Sequence, residues 1–304
     1  MDSAHIETDI PILGEAKIPS PVQNRTKGAN DIAFTADHER VVIDVSALNL
    51  VQQIKDGQEP SCFELAGPRN NIFFDPSKLL CALVTCGGLC PGLNDIIRSI
   101  VLELHWGYGV QSIYGIRFGL QGFIPKFGHQ VIDLTPDYVV NIHERGGSVL
   151  GSSRGPQEVE EIVDCLERMN VGILFMIGGD GTLNAATRIA DAILKRNLKI
   201  SVVGIPKTID NDITNTDVTL GFDTALGIAT EAIDRLHTTA TSHHRIIVCE
   251  IMGHKTGWLT ISSGIAGGAD VILIPEIPYD LDIIARYLLE RRRKGSRFSI
   301  IAVA

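Results

Sequence analysis

Residues 171–196, VGILFMIGGDGTLNAATRIADAILKR, decide the fold. The first seven, 171–177, are apolar apart from one glycine. An unbroken apolar run of that length is the pattern of a strand covered on both faces. GGDGT follows, and then the spacing predicts a helix over 184–196. Strand, glycine loop and helix in that order form the unit from which α/β sheets are wound.

The same unit recurs on either side. Upstream, 78–86 reads as a strand, 95–105 as a helix with Asn94 as its cap, 111–116 as a strand and 158–169 as an amphipathic helix. Downstream, 199–205 reads as a strand, 222–238 as a helix, 245–251 and 271–274 as strands, and 281–294 as a helix. The fold class expected is α/β, a doubly wound, Rossmann-like parallel sheet. Residues before 78 are rich in turn formers and weak in periodicity, with one short helix predicted near 46–55. The last run, RFSIIAVA at 297–304, reads as a buried strand with no cap, turn or polar tail after it. A sequence cut short within a second domain is therefore expected, with a terminal edge strand as the alternative.

With 304 residues, 44% hydrophobic and 21% charged, the composition is globular and allows two domains. A net charge of −9 argues against nucleic acid or a membrane surface as partner, since both require a basic face. Cations for an anionic substrate must then be local. The six cysteines form no C-x-x-C pair and the nine histidines no H-E-x-x-H. Residues 1–21 are acidic and match neither a secretory signal nor an arginine-rich transit peptide, and no apolar run reaches membrane-spanning length. A cytoplasmic protein with reduced thiols is expected.

Three strand ends carry glycine or proline among polar residues, and in an open α/β sheet all three face one crevice. The first, 85-TCGGLCPGLND-95, places Gly87, Gly88 and Gly92 between strand and helix. Backbone N–H groups there approach an oxyanion closely, although a tight turn uses the same glycines without any ligand. The second, 177-IGGDGTLNAA-186, sets Asp180 in a glycine loop at a helix start. A carboxylate among phosphate-directed N–H groups suits a divalent cation, the alternative being that Asp180 and Thr182 only cap the helix. The third, 206-PKTIDND-212, assembles Lys207, Thr208, Asp210 and Asp212 at the end of an apolar strand. A substrate hydroxyl that attacks phosphorus needs a base, and a carboxylate on a rigid strand end serves. The alternative, an Asx-rich turn without chemistry, does not explain a lysine, a threonine and two acids assembled at a buried strand end.

Together these segments resemble the 6-phosphofructokinase family. Further matches are SVLGSSRGP at 148–156, SHHRIIVCEIMGHKTGW at 242–258 and GIAGGADVILIPE at 264–276, so six motifs stand in order from about residue 67 onward. The segments AGPRNNIFFDP and LGSSRGPQ resemble its longer, plant-type branch. The resemblance implies that Gly87, Arg154 and Gly155 contact the phosphoryl donor. It implies that Gly179, Asp180, Gly181 and Thr182 hold donor phosphates, with Asp180 on Mg2+. Thr208, Ile209, Asp210 and Asp212 would bind fructose 6-phosphate, with Asp210 taking the proton from its 1-hydroxyl. Met252, Gly253 and His254 would lie against the sugar. Arg245 would bind the 6-phosphate from a neighbouring subunit, so a homo-oligomer, dimer or tetramer, is implied. On this reading 1–77 is an irregular N-terminal extension, 78–221 the donor-binding α/β domain and 222–304 an incomplete sugar-phosphate-binding α/β domain.

Two positions bear on the donor. Glycine after the loop aspartate goes with ATP in that family and aspartate with pyrophosphate, so Gly181 implies ATP. Lys207 stands where short bacterial ATP enzymes have glycine and pyrophosphate enzymes have lysine. Members combining the two resemble the ATP-using plant-type branch, and ATP is the expected co-substrate. His254 departs from the arginine of many members, which removes a fixed cation. Two alternatives stand beside an ATP-dependent enzyme: a pyrophosphate-dependent one, and a non-catalytic regulatory subunit. The basic run 291–294 reads as a solvated helix end rather than an effector site.

Overall fold

The computed structural model describes residues 8–25 and 33–304. Expectations for 1–7 and 26–32 lie outside the described residues. The arm before the main sheet is less irregular than its sequence. It holds β1 (Ile18–Pro19), β2 (Arg40–Val42), α1 (Ala47–Lys55), β3 (Cys62–Glu64) and β4 (Asn71–Ile72), with β1–β4 and β2–β3 paired antiparallel. These strands are two or three residues long, too short for an alternating pattern to show.

The main sheet is built from β5 (Leu80–Thr85), α2 (Leu93–Leu102), β6 (Ser112–Ile116), β7 (Ile132–Asp133), α3 (Pro136–Val139), α4 (Val159–Arg168), β8 (Ile173–Gly178), α5 (Asp180–Lys195), β9 (Ser201–Thr208) and β10 (Leu220–Gly221). Its order is β10-β9-β8-β5-β6-β7, parallel except for β7. Ala82, Val84, Leu174 and Met176 face a core formed with Ile162 and Leu166 of α4 and Ile189 and Ile193 of α5. Cys81, Leu83 and Ile113 face the opposite core, with Leu93, Ile97 and Val101 of α2. Burial on both faces is why β5 and β8 read as continuous apolar runs.

The second sheet follows. Its elements are α6 (Phe222–His243), β11 (Ile246–Glu250), α7 (Trp258–Ala266), β12 (Val271–Leu273), α8 (Leu281–Arg293) and β13 (Ser299–Val303). The parallel order is β11-β13-β12. The final strand is thus the middle of this sheet, not an edge. Ile233 and Ala240 of α6 and Leu259 of α7 pack on Ile300 and Ala302 of β13. Among the described residues no helix is long and apolar enough to cross a membrane.

Several boundaries differ from expectation for physical reasons. Helix α2 begins at Leu93 behind Gly92, whose φ of 85° makes it the cap, and Asn94 lies inside the first turn. The helix then continues as a π-helical turn, Glu103–Tyr108. Strand β9 runs through Pro206 to Thr208. Strand β10 pairs only with Lys207 and Thr208, so Pro206 stands where β9 has a bonded neighbour on one side alone. β9 is also less buried than its sequence implies, with Val203 37% exposed. Helix α7, unassigned from sequence, carries WLTISSGIA, which lacks a polar face to mark helical spacing. In the basic run, Arg291 is not solvated: it pairs with Asp270, whose other oxygen accepts the Ile300 N–H at 2.9 Å. The pair fastens α8 to the second sheet.

Candidate active site

The carboxyl ends of β5, β8 and β9 open on one cavity of about 630 Å3. Winding reverses at β5, which has β6 on one side and β8 on the other. Such a switch point is where an open sheet leaves a crevice.

The first loop reaches the cavity from β5. Gly87 has φ 79°, a conformation that favours glycine. Its N–H donates to Ser153 O at 3.1 Å and its carbonyl accepts from Ser152 Oγ at 2.6 Å. The loop is therefore tied to the segment that carries Arg154 and Gly155, both on the cavity wall. A Cβ added at Gly88 would stand 3.5 Å from Arg154 Nη2. Lys207, on β9, is 3% exposed and donates to Gly88 O at 2.5 Å. Burial holds its ammonium below the ordinary lysine pKa; Cys90 and Cys86 oppose the shift and Arg154 adds to it. Arg154 and Lys207 thus bring two cations together, and among the described residues neither has a carboxylate partner. That arrangement calls for an anion. Burial pushes the Cys86 thiol up to about 12, so it supplies no thiolate here.

The second loop ends β8. Gly179 is the N-cap of α5, and its carbonyl accepts from Thr182 N at 2.8 Å and Leu183 N at 3.0 Å. Neither Asp180 nor Thr182 caps the helix through its side chain. Thr182 instead packs so closely on Gly178 that a Cβ there would lie 2.1 Å from its Oγ1. The carboxylate of Asp180 is exposed at the cavity, and a Cβ on Gly181 would meet nothing within 4 Å. The first N–H groups of a helix have no intrahelical acceptor, so this rim favours phosphate oxygens.

The third loop closes the cavity below. Thr208, Ile209 and Asp210 line it. Asn211, with φ 52°, makes the turn: its Oδ1 accepts from Thr219 N at 2.8 Å and its Nδ2 donates to Asp217 O at 3.2 Å. The aspartates are therefore not consumed in holding the backbone. Asp210 Oδ1 is buried without a hydrogen-bond partner. Burial raises its pKa, the nearby Asp212 raises it further, and His254 opposes. A buried carboxylate oxygen with no donor beside an anion cradle is placed to accept a proton.

From the second sheet, Met252 lines the cavity and is 70% exposed. Gly253 permits the turn after it, since a Cβ would lie 2.4 Å from Thr256 O. Thr256 Oγ1 donates to Asp210 O at 3.1 Å and joins this turn to the third loop. Arg245 is not part of the constellation. It is exposed just before β11, whose far end, Glu250, is roughly 16 Å away along the strand and leads to Met252. Sequence reading missed Asn211 and also Asn184 and Arg188, which line the cavity. Their signal was present: 180, 184 and 188 share one helix face at a spacing of four.

A metal group formed by three or more His, Cys, Asp or Glu side chains is absent among the described residues. Asp180 alone fits Mg2+, which keeps most of its shell as water and substrate phosphate oxygens.

The family profile described as Phosphofructokinase matches residues 81–304. The chain is 38% identical over 301 residues to an ATP-dependent 6-phosphofructokinase of Amycolatopsis methanolica, covering 96% of this chain and 65% of that protein. It is 47% identical over 218 residues to ATP-dependent 6-phosphofructokinase 5, chloroplastic, of Arabidopsis thaliana, covering 71% of this chain and 40% of that one. Among solved structures, phosphofructokinase from Saccharomyces cerevisiae superposes with a TM-score of 0.65 at 29% identity, over 75% of this chain and 33% of the yeast chain. The chain thus spans less than two thirds of the length of these relatives. With the crevice and the glycine loops at the strand ends of one sheet, it belongs to the phosphofructokinase family.

Proposed function

We propose that the protein transfers the γ-phosphoryl group of ATP to the 1-hydroxyl of fructose 6-phosphate, giving fructose 1,6-bisphosphate and ADP, a step of glycolysis. The observation that carries this reading is Asp210, a proton-binding carboxyl with an unpartnered buried oxygen in the cavity that also holds Arg154, Lys207 and the start of α5. Asp210 accepts the hydroxyl proton as the oxygen attacks phosphorus, and Asp212 orients the sugar. Arg154, Lys207 and the N–H groups at the start of α5 take up charge on the phosphoryl oxygens. Asp180 would hold Mg2+, which when bound would supply positive charge against the donor phosphates.

Residues 78–221 form the donor-binding domain in this proposal and 222–304 the sugar-phosphate-binding domain, after the extension 1–77. Asp210 lines the cavity and Arg245, before the first residue of β11, does not. Arg245 therefore serves the site of a second subunit, and the enzyme is a cytoplasmic homo-oligomer. A pyrophosphate-dependent reaction is the second reading, favoured by one observation, the buried Lys207 at the donor end. Relative kcat/KM for ATP and pyrophosphate, at equal concentration with fructose 6-phosphate and Mg2+, decides between them. A preference for ATP supports the proposal, and a preference for pyrophosphate overturns its donor.

A further inference from the structure

We propose that Asn94, together with Thr85, is a positioning residue for Arg154. This rests on the reading above, in which Arg154 contacts the donor phosphates. Asn94 is 2% exposed in the first turn of α2. Its Nδ2 donates to Arg145 O at 2.8 Å, and its Oδ1 accepts from Val149 N at 2.9 Å. One amide thus clamps both ends of 145–149, the stretch that leads to Arg154. Thr85, fully buried at the end of β5, donates from Oγ1 to Gly151 O at 2.7 Å. With that proton committed, Ser148 is the donor in the 2.7 Å contact between the two hydroxyls. Ser148 Oγ in turn accepts from Leu150 N at 3.2 Å.

The segment has no helix or strand of its own between 145 and 155. It is held by side chains of the same strand and helix that flank the first glycine loop. Arg154 and that loop are consequently fixed to each other as a unit. Each side chain in the network uses its hydrogen-bonding groups on backbone or on the other hydroxyl, so loss of one frees a buried partner. An arginine aimed at a transferred phosphoryl group loses effect when its backbone shifts by a fraction of its reach.

The test is a double-mutant cycle on Mg-ATP binding by titration calorimetry, with turnover measured alongside. Asn94→Asp keeps the acceptor for Val149 N–H and sets a second acceptor against the Arg145 carbonyl. It is expected to weaken Mg-ATP binding about tenfold while the KM for fructose 6-phosphate changes less than about twofold. On an Arg154→Ala background the same substitution is expected to add less than about twofold. Thr85→Val supplies a second cycle with the same expectation, and Thr85→Ser, which retains the hydroxyl, restores binding. Equal losses on both backgrounds, or equal losses for both substrates, overturn the proposal. A wild-type protein that binds Mg-ATP without phosphorylating fructose 6-phosphate refutes the functional reading, and the binding cycle still decides the positioning. Absence of nucleotide binding refutes both.

Discussion

Asp210 combines two properties that pull against each other. Its carboxyl is desolvated and stands near Asp212, so the folded protein binds its proton more tightly than the unfolded chain does. The ionised form therefore destabilises the fold progressively as pH rises from the ordinary value of 3.8 through the raised folded-state pKa, and the full cost persists above it. In the proposed reaction Asp210 acts in its ionised form, so kcat is expected to fall as pH is lowered through the same pKa. Asp210→Asn separates the two effects. It should lower kcat by roughly 10²- to 10⁴-fold with a modest change in KM, and calorimetry at pH 7 should show an equal or higher Tm. A mutant with near-normal turnover, or one that melts earlier, contradicts this assignment. On the proposed reading, Gly181 sets the donor at the same scale. A Cβ there would meet nothing within 4 Å, so Gly181→Asp should fold normally and, on the proposed reading, set its carboxylate against the α-phosphate of ATP. Loss of ATP use with unchanged Tm is expected; retained ATP use would leave Lys207 as the determinant.

At the scale of elements, the β8–α5 junction uses its glycines unequally. A Cβ at Gly178 would lie 2.1 Å from Thr182 Oγ1 and 2.5 Å from Thr182 Cβ, atoms held within the helix. Gly178→Ala should therefore cost about 1–3 kcal/mol, whereas Gly181→Ala, pointing into open space in the first turn, should leave denaturant midpoints unchanged or raise them. Because Asp180 does not cap α5, Asp180→Ala should abolish Mg2+-dependent turnover without loss of helical circular dichroism. An active variant with unchanged Mg2+ dependence would remove Asp180 from the metal role. Legibility in the sequence followed from pattern. β5, β8, α4 and α5 were readable because covered strands are continuously apolar and their helices carry one apolar stripe. The start of α5 was misplaced by four residues because GGDGT has poor helix propensity, while its free N–H groups suit a ligand. The three strand-end loops gave the crevice, but the roles assigned to Arg154, Arg245 and Met252 came from motif resemblance. The Asn94–Thr85 network was not legible at all, since it joins residues 51 to 66 positions apart through side chains.

Across the whole molecule, two sheets meet at the cavity, and the 3.1 Å bond from Thr256 to Asp210 O is one link between them. Arg245 stands at the end of β11 opposite the one that leads to this junction. If it completes a neighbour's site, subunits carrying Arg245→Ala and subunits carrying Asp210→Asn should be nearly inactive alone. Mixed and reassembled, they should regain part of the wild-type rate, because some sites then hold both native residues. Absence of recovery in verified mixed oligomers would place Arg245 outside the sugar-phosphate site. The central claim is phosphoryl transfer from ATP to fructose 6-phosphate with Asp210 as base. The most direct measurement is the initial rate of fructose 1,6-bisphosphate formation by the polypeptide of the complete reading frame, with Mg2+ and either ATP or pyrophosphate, for wild type and Asp210→Asn. The account predicts ATP-dependent product formation, a higher kcat/KM for ATP than for pyrophosphate, and a rate reduced by roughly 10²-fold or more in the mutant. Product formation from pyrophosphate alone, or an undiminished rate in Asp210→Asn, would contradict it.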